Sequence, residues 1–176
     1  MTKKVNIITL GCSKNLVDSE NLLGELKSRG MKVMHESSED SDYVIINTCG
    51  FIGDAKEESI DTILQYAEAK KGGQFEKLFV TGCLSQRYAS HLEKEIHDVD
   101  GFYGTEDIPA ILKDLGFDAK KDLLGERFLT TPQHYAYLKI SEGCDRKCSF
   151  CAIPLIRGKH KSKTIESLVK ESKYLV

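Results

Sequence analysis

Residues 5–12 read VNIITLGC and give the clearest indication of the fold. A β-branched run this short fits a buried strand better than a helix, and Gly11 ends it. The same arrangement recurs in residues 43–50, YVIINTCG, and in residues 77–83, KLFVTGC. Three strands that each end beside a glycine and a cysteine predict three successive β-α units.

Helical patterns follow the predicted strands. Apolar residues recur at helical spacing in residues 22–26, 60–67, 88–96 and 108–115, and we expect these stripes to face the core. Thr105 is the predicted N-cap of the helix that contains residues 108–115, because two acidic residues follow it. Strands that alternate with helices predict an α/β fold with an open, mostly parallel sheet and flanking helices.

The pattern divides the chain into two domains. Residues 1–116 form the predicted α/β domain, in which residues 31–34 and 101–104 are two shorter strands. Residues 117–133 are rich in charged and turn-forming side chains, which predicts a linker. Residues 134–176 begin a second domain.

The second domain is short. Residues 135–140 read YAYLKI and predict a strand, a cysteine-rich loop follows, and Ile165, Leu168 and Val169 mark a helix that runs to the last residue. One strand, one loop and one helix of about 40 residues bury too little surface to be stable alone. We therefore expect the chain to end inside this domain.

Composition and charge exclude several protein classes. The 176 residues are 40% hydrophobic and 30% charged, which is typical of a globular protein and not of a disordered or membrane chain. The formal net charge of -2 gives no net attraction to nucleic acid or to an anionic membrane. The N-terminal apolar run is too short for a signal peptide, so we expect a cytoplasmic protein with reduced cysteines.

Three of the six cysteines lie on one local loop. Cys144, Cys148 and Cys151 are spaced so that three thiolates can converge on a metal. No fourth ligand is evident, because Asp145 is too close along the chain and His160 is separated by a proline and a glycine. Structural zinc takes four protein ligands, whereas a four-iron cluster with three cysteines keeps one iron open. The spacing favours iron-sulfur and leaves zinc as an alternative.

The other three cysteines are far apart in sequence. Cys12, Cys49 and Cys83 each follow a predicted strand and lie beside a glycine. The carboxyl ends of parallel strands share one edge, so we expect the three to meet there and hold a second cluster. Taken singly, each would more often be a small buried hydrophobic residue.

Other polar groups carry less information. We expect His35, His91 and His97 to be solvated or packed side chains. For His134 and His160 the sequence leaves both a packed role and a ligand role open. The basic stretch at residues 157–163 is either a solvated face or a contact with substrate or cofactor. The sequence has no phosphate-binding or dinucleotide-binding glycine motif.

These motifs resemble the methylthiotransferase family of radical S-adenosylmethionine enzymes. The resemblance rests on the loop from Cys144 to Cys151, with Phe150 before its last cysteine, and on residues 10–20, 47–51 and 81–83. Residues 10–20, LGCSKNLVDSE, are more similar to the branch that modifies a ribosomal protein than to the branch that modifies transfer RNA.

The resemblance implies a fold, a reaction and a set of cofactors. The second domain would begin a partial TIM-like barrel, and the six cysteines would hold two [4Fe-4S] clusters. S-adenosylmethionine would bind the cluster of Cys144, Cys148 and Cys151, with its adenine near Phe150, and yield a 5′-deoxyadenosyl radical. The cluster of the other three cysteines would present methylated sulfur, so that C–S–CH3 replaces C–H on an aspartate β-carbon.

The implied partners are a small-subunit ribosomal protein as substrate and an electron donor protein, with no membrane and no nucleic acid bound directly by this chain. Residues 162–164, Ser-Lys-Thr, depart from the Ser-Arg that relatives often have at this point. We expect the 176-residue chain to be inactive alone. A transfer-RNA methylthiotransferase and a zinc-stabilised binding module without catalysis are the alternatives.

Overall fold

A computed structural model describes residues 2–118 and 126–176 of the chain. These residues form two compact units, one spanning residues 1–128 and the other residues 129–176. Part of the predicted linker, residues 119–125, lies outside the described residues. The division of the chain at residues 117–133 stays a prediction.

The first unit is built on a five-stranded parallel sheet in the order β2-β1-β3-β4-β5. This confirms the predicted α/β class and the open parallel sheet. Short β-branched runs form its central strands because both faces of each strand are covered, which removes the alternation of apolar and polar residues. The strands are β1 (Lys4–Thr9), β2 (Lys32–His35), β3 (Tyr43–Thr48), β4 (Lys77–Gly82) and β5 (Gly101–Phe102).

Four helices cover the two faces of this sheet. Leu23 of the first helix and Leu112 of the fourth pack with Ile45 and Phe79 of the sheet. On the opposite face, the second and third helices pack against alternate residues of the same two strands. The helices are α1 (Ser13–Ser28), α2 (Gly53–Lys71), α3 (Cys83–Glu95) and α4 (Ile108–Asp114).

Two predictions for these helices are wrong. Ile60 and Leu64 are exposed rather than buried, because α2 buries only a narrow row through Ile63 and Ala67. Thr105 is not the cap of α4, which begins at Ile108 with Asp107 as its N-cap residue. The proline that follows Ile108 is favoured at the first helical positions, so a start at Thr105 would place it too deep.

Residues 126–128 pack on α1. The Arg127 side chain is almost fully buried, and its Nε donates to Oε2 of the fully buried Glu20 at 2.7 Å. The backbone N–H of Phe128 donates to the carbonyl of Glu20, and a Cβ on Gly24 would lie 2.2 Å from the Glu126 carbonyl oxygen. This part of the predicted linker therefore belongs to the packed first unit.

The second unit contains a short antiparallel strand pair and two helices. The predicted strand at residues 135–140 is wrong, since those residues have no strand partner within the described part of the chain. The predicted helix is present as α6 (Ile165–Leu175), and its Ile165 and Val169 are exposed. The elements are β6 (Ser141–Glu142), α5 (Ile153–Arg157), β7 (Lys161–Ser162) and α6 (Ile165–Leu175).

None of the helices in residues 2–118 and 126–176 has the length and apolar character needed to cross a membrane.

Candidate functional site

Cys12, Cys49 and Cys83 lie at one edge of the parallel sheet, as the sequence predicts. They follow β1, β3 and β4, which are three neighbouring strands. The strand order reverses direction between β1 and β3, and open α/β sheets bind ligands outside the carboxyl ends of their strands at such a point. We call this region the cysteine edge.

Glycines bring the loops of the cysteine edge into close contact. A Cβ on Gly11 would lie 2.6 Å from Cβ and 2.9 Å from Sγ of Cys49, and the φ of Gly11 is +93°. A Cβ on Gly50 would lie 2.6 Å from Cα of Leu84, next to Cys83. A side chain at either position would separate neighbouring cysteine loops, which is why the sequence has glycine there.

Two of the cysteines lie at helix N-termini. Cys12 is the N-cap residue of α1, and its side chain accepts no hydrogen bond from the first turn. Cys83 is the first residue of α3, whose N-cap residue is Gly82. The N–H groups of a first turn and the helix dipole favour negative charge at this position. Cys12 is exposed, while Cys49 and Cys83 are buried. The cysteine edge is therefore open to solvent on the side of Cys12.

Two polar side chains that were not predicted from the sequence hold the cysteine loops. The hydroxyl of Ser59, on α2, accepts from the N–H of Cys49 and donates to its carbonyl, both at 3.0 Å. Asn15, on α1, is completely buried, and its side chain bonds to groups in all three cysteine loops. Asn15 lies in a motif that the sequence analysis quoted, but only the tertiary structure shows its contacts.

The donor chemistry of the cysteine edge fits a three-cysteine iron-sulfur cluster, although the three thiols do not meet at metal-binding distance in the described residues. Three thiols on adjacent loops are the donor set that such a cluster takes. The Oγ of the fully buried Ser85, in the first turn of α3, has no hydrogen-bond partner in the described part of the chain, and buried hydroxyls rarely stay unpaired. Among the described residues, no three His, Cys, Asp or Glu side chains are gathered closely enough to hold a metal ion. The cluster ligands therefore stay a prediction.

The second cysteine set lies on the loop between β6 and α5. The Sγ of Cys144 accepts from the backbone N–H of Arg146 at 3.5 Å, and the N–H of Cys151 donates to the carbonyl of Cys148 at 3.1 Å. Cys148 is exposed and the other two cysteines are partly buried. The loop is a compact turn in which Cys148 is the most exposed of the three cysteines.

A buried ion-pair network supports this loop. Lys139 donates to the Glu142 carboxylate at 2.6 Å, and the buried Arg157 donates to the same oxygen at 3.3 Å. Burial raises the pKa of Glu142, but these two cations and the N–H of Gly143 outweigh it and hold the pKa below its ordinary value. Arg157, the first residue of the basic stretch, is thus a packed residue and not part of a solvated face.

The remaining predicted side chains lie in different surroundings. Phe150 is 91% exposed, so it is free to contact a ligand bound at this loop. Asp145 accepts a hydrogen bond from the backbone N–H of His160, whose ring bonds to Ser162. His35 is bonded to a threonine hydroxyl in the first unit, which agrees with a packed histidine.

Comparison with known proteins identifies the family. A family model described as "Uncharacterized protein family UPF0004" matches residues 4–104, more than half of the chain. The chain belongs to this family. The part of the chain that matches the UPF0004 model includes Cys12, Cys49 and Cys83, so it contains the whole cysteine edge.

Several curated relatives match nearly the whole chain. The chain is 61% identical over 171 residues to a protein of Cytophaga hutchinsonii, and 62% identical over 172 residues to one of Flavobacterium psychrophilum. A protein of Bacteroides thetaiotaomicron is 57% identical over 175 residues. All three are named "Ribosomal protein uS12 methylthiotransferase RimO". The matches cover 97%, 98% and 99% of this chain but only 39%, 39% and 40% of the relatives.

Proposed function

We propose that this chain contributes two cysteine-ligated iron-sulfur sites to a methylthiotransferase that modifies a small-subunit ribosomal protein. The observation that carries the proposal is the placement of Cys12, Cys49 and Cys83 after three adjacent strands, where a parallel sheet binds ligands. The names of relatives that are 57–62% identical support the reaction and the substrate, ribosomal protein uS12.

The two cysteine sets have different roles in this proposal. When bound, two [4Fe-4S] clusters and S-adenosylmethionine supply the electron transfer and the sulfur that replace a C–H bond on an aspartate β-carbon by C–S–CH3. Cys12, Cys49 and Cys83 hold the cluster of the cysteine edge. Cys12 is exposed, so this edge admits substrate from its side.

The loop from Cys144 to Cys151 holds the other cluster. Cys148 is exposed, and Phe150 presents an exposed aromatic face beside Cys151 for the adenine of S-adenosylmethionine. The ion pairs of Glu142 fix the backbone just before Cys144. A braced turn with an exposed cysteine and an exposed aromatic ring suits a cluster that keeps one iron free for a ligand.

The proposal also names partners. The substrate is a ribosomal protein, and a separate electron donor protein reduces the clusters. The chain binds no nucleic acid directly, in keeping with its net charge of -2. By itself the 176-residue chain is expected to have no methylthiotransferase activity.

A chimera tests the function in a complete enzyme. Residues 1–176 replace the matching region of the Cytophaga relative, and mass spectrometry follows methylthiolation of purified ribosomal protein uS12 with S-adenosylmethionine and a reductant. The chimera should modify one aspartate, and the 176-residue chain alone should not. Replacing either cysteine set by alanine should abolish the product, whereas Ser28→Ala, on an exposed turn of α1, should not.

Three results would contradict the proposal. Product from the chimera without Cys12, Cys49 and Cys83 would show that the cysteine edge is dispensable. Modification of transfer RNA instead of the ribosomal protein would favour the other branch of the family. A colourless chain that holds zinc and no iron would favour a structural metal domain.

A further inference from the structure

One buried amide connects the three loops of the cysteine edge. The Nδ2 of Asn15 donates to the carbonyl of Leu10 at 2.8 Å and to the carbonyl of Thr48 at 3.0 Å. Leu10 lies two residues before Cys12, and Thr48 directly precedes Cys49. The Asn15 side chain therefore joins the ends of β1 and β3.

The third contact of this amide is with the remaining cysteine. The thiol of Cys83 donates to Oδ1 of Asn15 over a distance of 3.6 Å. Two carbonyl oxygens take the two hydrogens of Nδ2, so the amide has only one orientation in which every bond is made. That orientation directs Oδ1 to the sulfur.

The backbone of Asn15 is held as well. Asn47, at the end of β3, donates from Nδ2 to the carbonyl of Asn15 at 2.8 Å and to the hydroxyl of Ser19 at 3.0 Å. Both asparagines are buried, so these bonds have no competition from solvent. The amide is thus fixed relative to the sheet and not only relative to its own helix.

We propose that Asn15 is a positioning residue that sets the distances between the three cysteines before metal binds, an inference that rests on the proposed function. The three loops belong to separate β-α units, so their spacing depends on lateral contacts. Asn15 supplies two donors and one acceptor at the centre of these contacts. Aspartate has the same shape but lacks the donors, and alanine lacks all three bonds.

The test counts metal at the cysteine edge alone. A parent protein carries Cys144→Ala, Cys148→Ala and Cys151→Ala, and Asn15→Asp and Asn15→Ala are added to it. Asn6→Ala is the matched control, because Asn6 is also buried and exchanges two hydrogen bonds with the backbone of Ser37, which is not part of a cysteine loop. Each protein is assayed anaerobically for metal-free Tm, Co2+ affinity and iron after reconstitution.

Positioning and general stability predict different results. All three variants should lower the Tm of the metal-free protein. Only the Asn15 variants should weaken Co2+ binding, by roughly 10–100-fold, the usual effect of losing a group that orients metal ligands. The same variants should lose most of the reconstituted iron, while Asn6→Ala keeps it.

Every other outcome decides against part of the account. Asn15 variants that bind Co2+ as tightly as Asn6→Ala would overturn the positioning role, and so would Asn15 variants that both fail to fold. If only the alanine variant fails to fold, the aspartate variant decides. A parent that binds Co2+ but no iron would refute the proposed cluster while the Co2+ comparison still tests Asn15. A parent that binds neither would refute both.

Discussion

Replacing Gly11 by alanine should disrupt the cysteine edge. The backbone of Gly11 has a φ of +93°, and the new Cβ would lie 2.6 Å from Cβ and 2.9 Å from Sγ of Cys49. Both distances are far shorter than a van der Waals contact. Cys49 cannot move away freely, because Ser59 holds its backbone N–H and carbonyl. The added methyl group must therefore push the first two cysteine loops apart.

The magnitude follows from two terms. A left-handed backbone costs alanine about 1–2 kcal/mol. Overpacking against Cys49 costs a further 1–3 kcal/mol or so. Gly30→Ala is the matched control, since Gly30 has a φ of +84° but no heavy atom of the described residues lies within 4 Å of the place its new methyl group would take. In Gly30→Ala the free energy of unfolding should fall only by the backbone cost of about 1–2 kcal/mol.

Urea denaturation of the metal-free protein, followed by circular dichroism, measures both variants. Iron per chain after anaerobic reconstitution is the second readout. Gly11→Ala should be the less stable variant by about 1–3 kcal/mol and should lose iron from the cysteine edge. Gly30→Ala should keep its iron. Equal unfolding free energies and equal iron contents for the two variants would refute this reasoning.

Three further predictions concern buried and partly buried polar groups. Ser59→Ala leaves a buried backbone N–H without its acceptor and should cost about 1–3 kcal/mol in urea denaturation; an unchanged midpoint would contradict the role given to this hydroxyl. Arg127→Met removes the ion pair with the buried carboxylate of Glu20 and should cost about 3–5 kcal/mol, most of which the double variant with Glu20→Leu should recover in a double-mutant cycle. The backbone N–H of Lys4 donates to the Asp42 carboxylate and lowers its pKa below the ordinary 3.8. The ionised Asp42 therefore stabilises the fold fully above pH 3.8, and this stabilisation is lost as the pH falls through the lowered pKa. The Tm of wild type and of Asp42→Asn should therefore differ at neutral pH and converge in acid. A Tm difference that stays constant across this pH range would contradict the role given to Asp42.

Much of the first unit could be predicted from the sequence. Each strand that positions a cysteine is a short apolar run that ends near a glycine and a cysteine. All three runs form strands in the structure, as β1, β3 and β4. The placement of Cys12, Cys49 and Cys83 at one edge then follows from the geometry of a parallel sheet, which needs no knowledge of side-chain contacts.

The contacts that shape the site could not be predicted in this way. Asn15 and Ser59 act on residues 33 and 10 positions away in sequence, and nothing in their local pattern names those partners. The exposed positions Ile60 and Leu64 were predicted to be buried because periodicity cannot tell how wide the covered face of a helix is. The width depends on what packs against it.

The second unit shows a different limit. The apolar run at residues 135–140 has the composition of a strand, but a strand needs a neighbour, and in this unit the described residues pair only β6 with β7. Arg157 was grouped with a basic stretch, although its side chain is buried with Glu142. Charge runs describe a surface only where no opposite charge lies beneath them.

The central claim is that Cys12, Cys49 and Cys83 hold one iron-sulfur cluster at the edge of the parallel sheet. The most direct measurement is iron, sulfide and zinc per chain after anaerobic reconstitution of the wild-type protein and of the variant with all three cysteines replaced by alanine. The account predicts a brown wild-type protein and a loss of about four irons in the variant. Equal iron in both proteins, or a colourless wild-type protein that holds zinc alone, would contradict it.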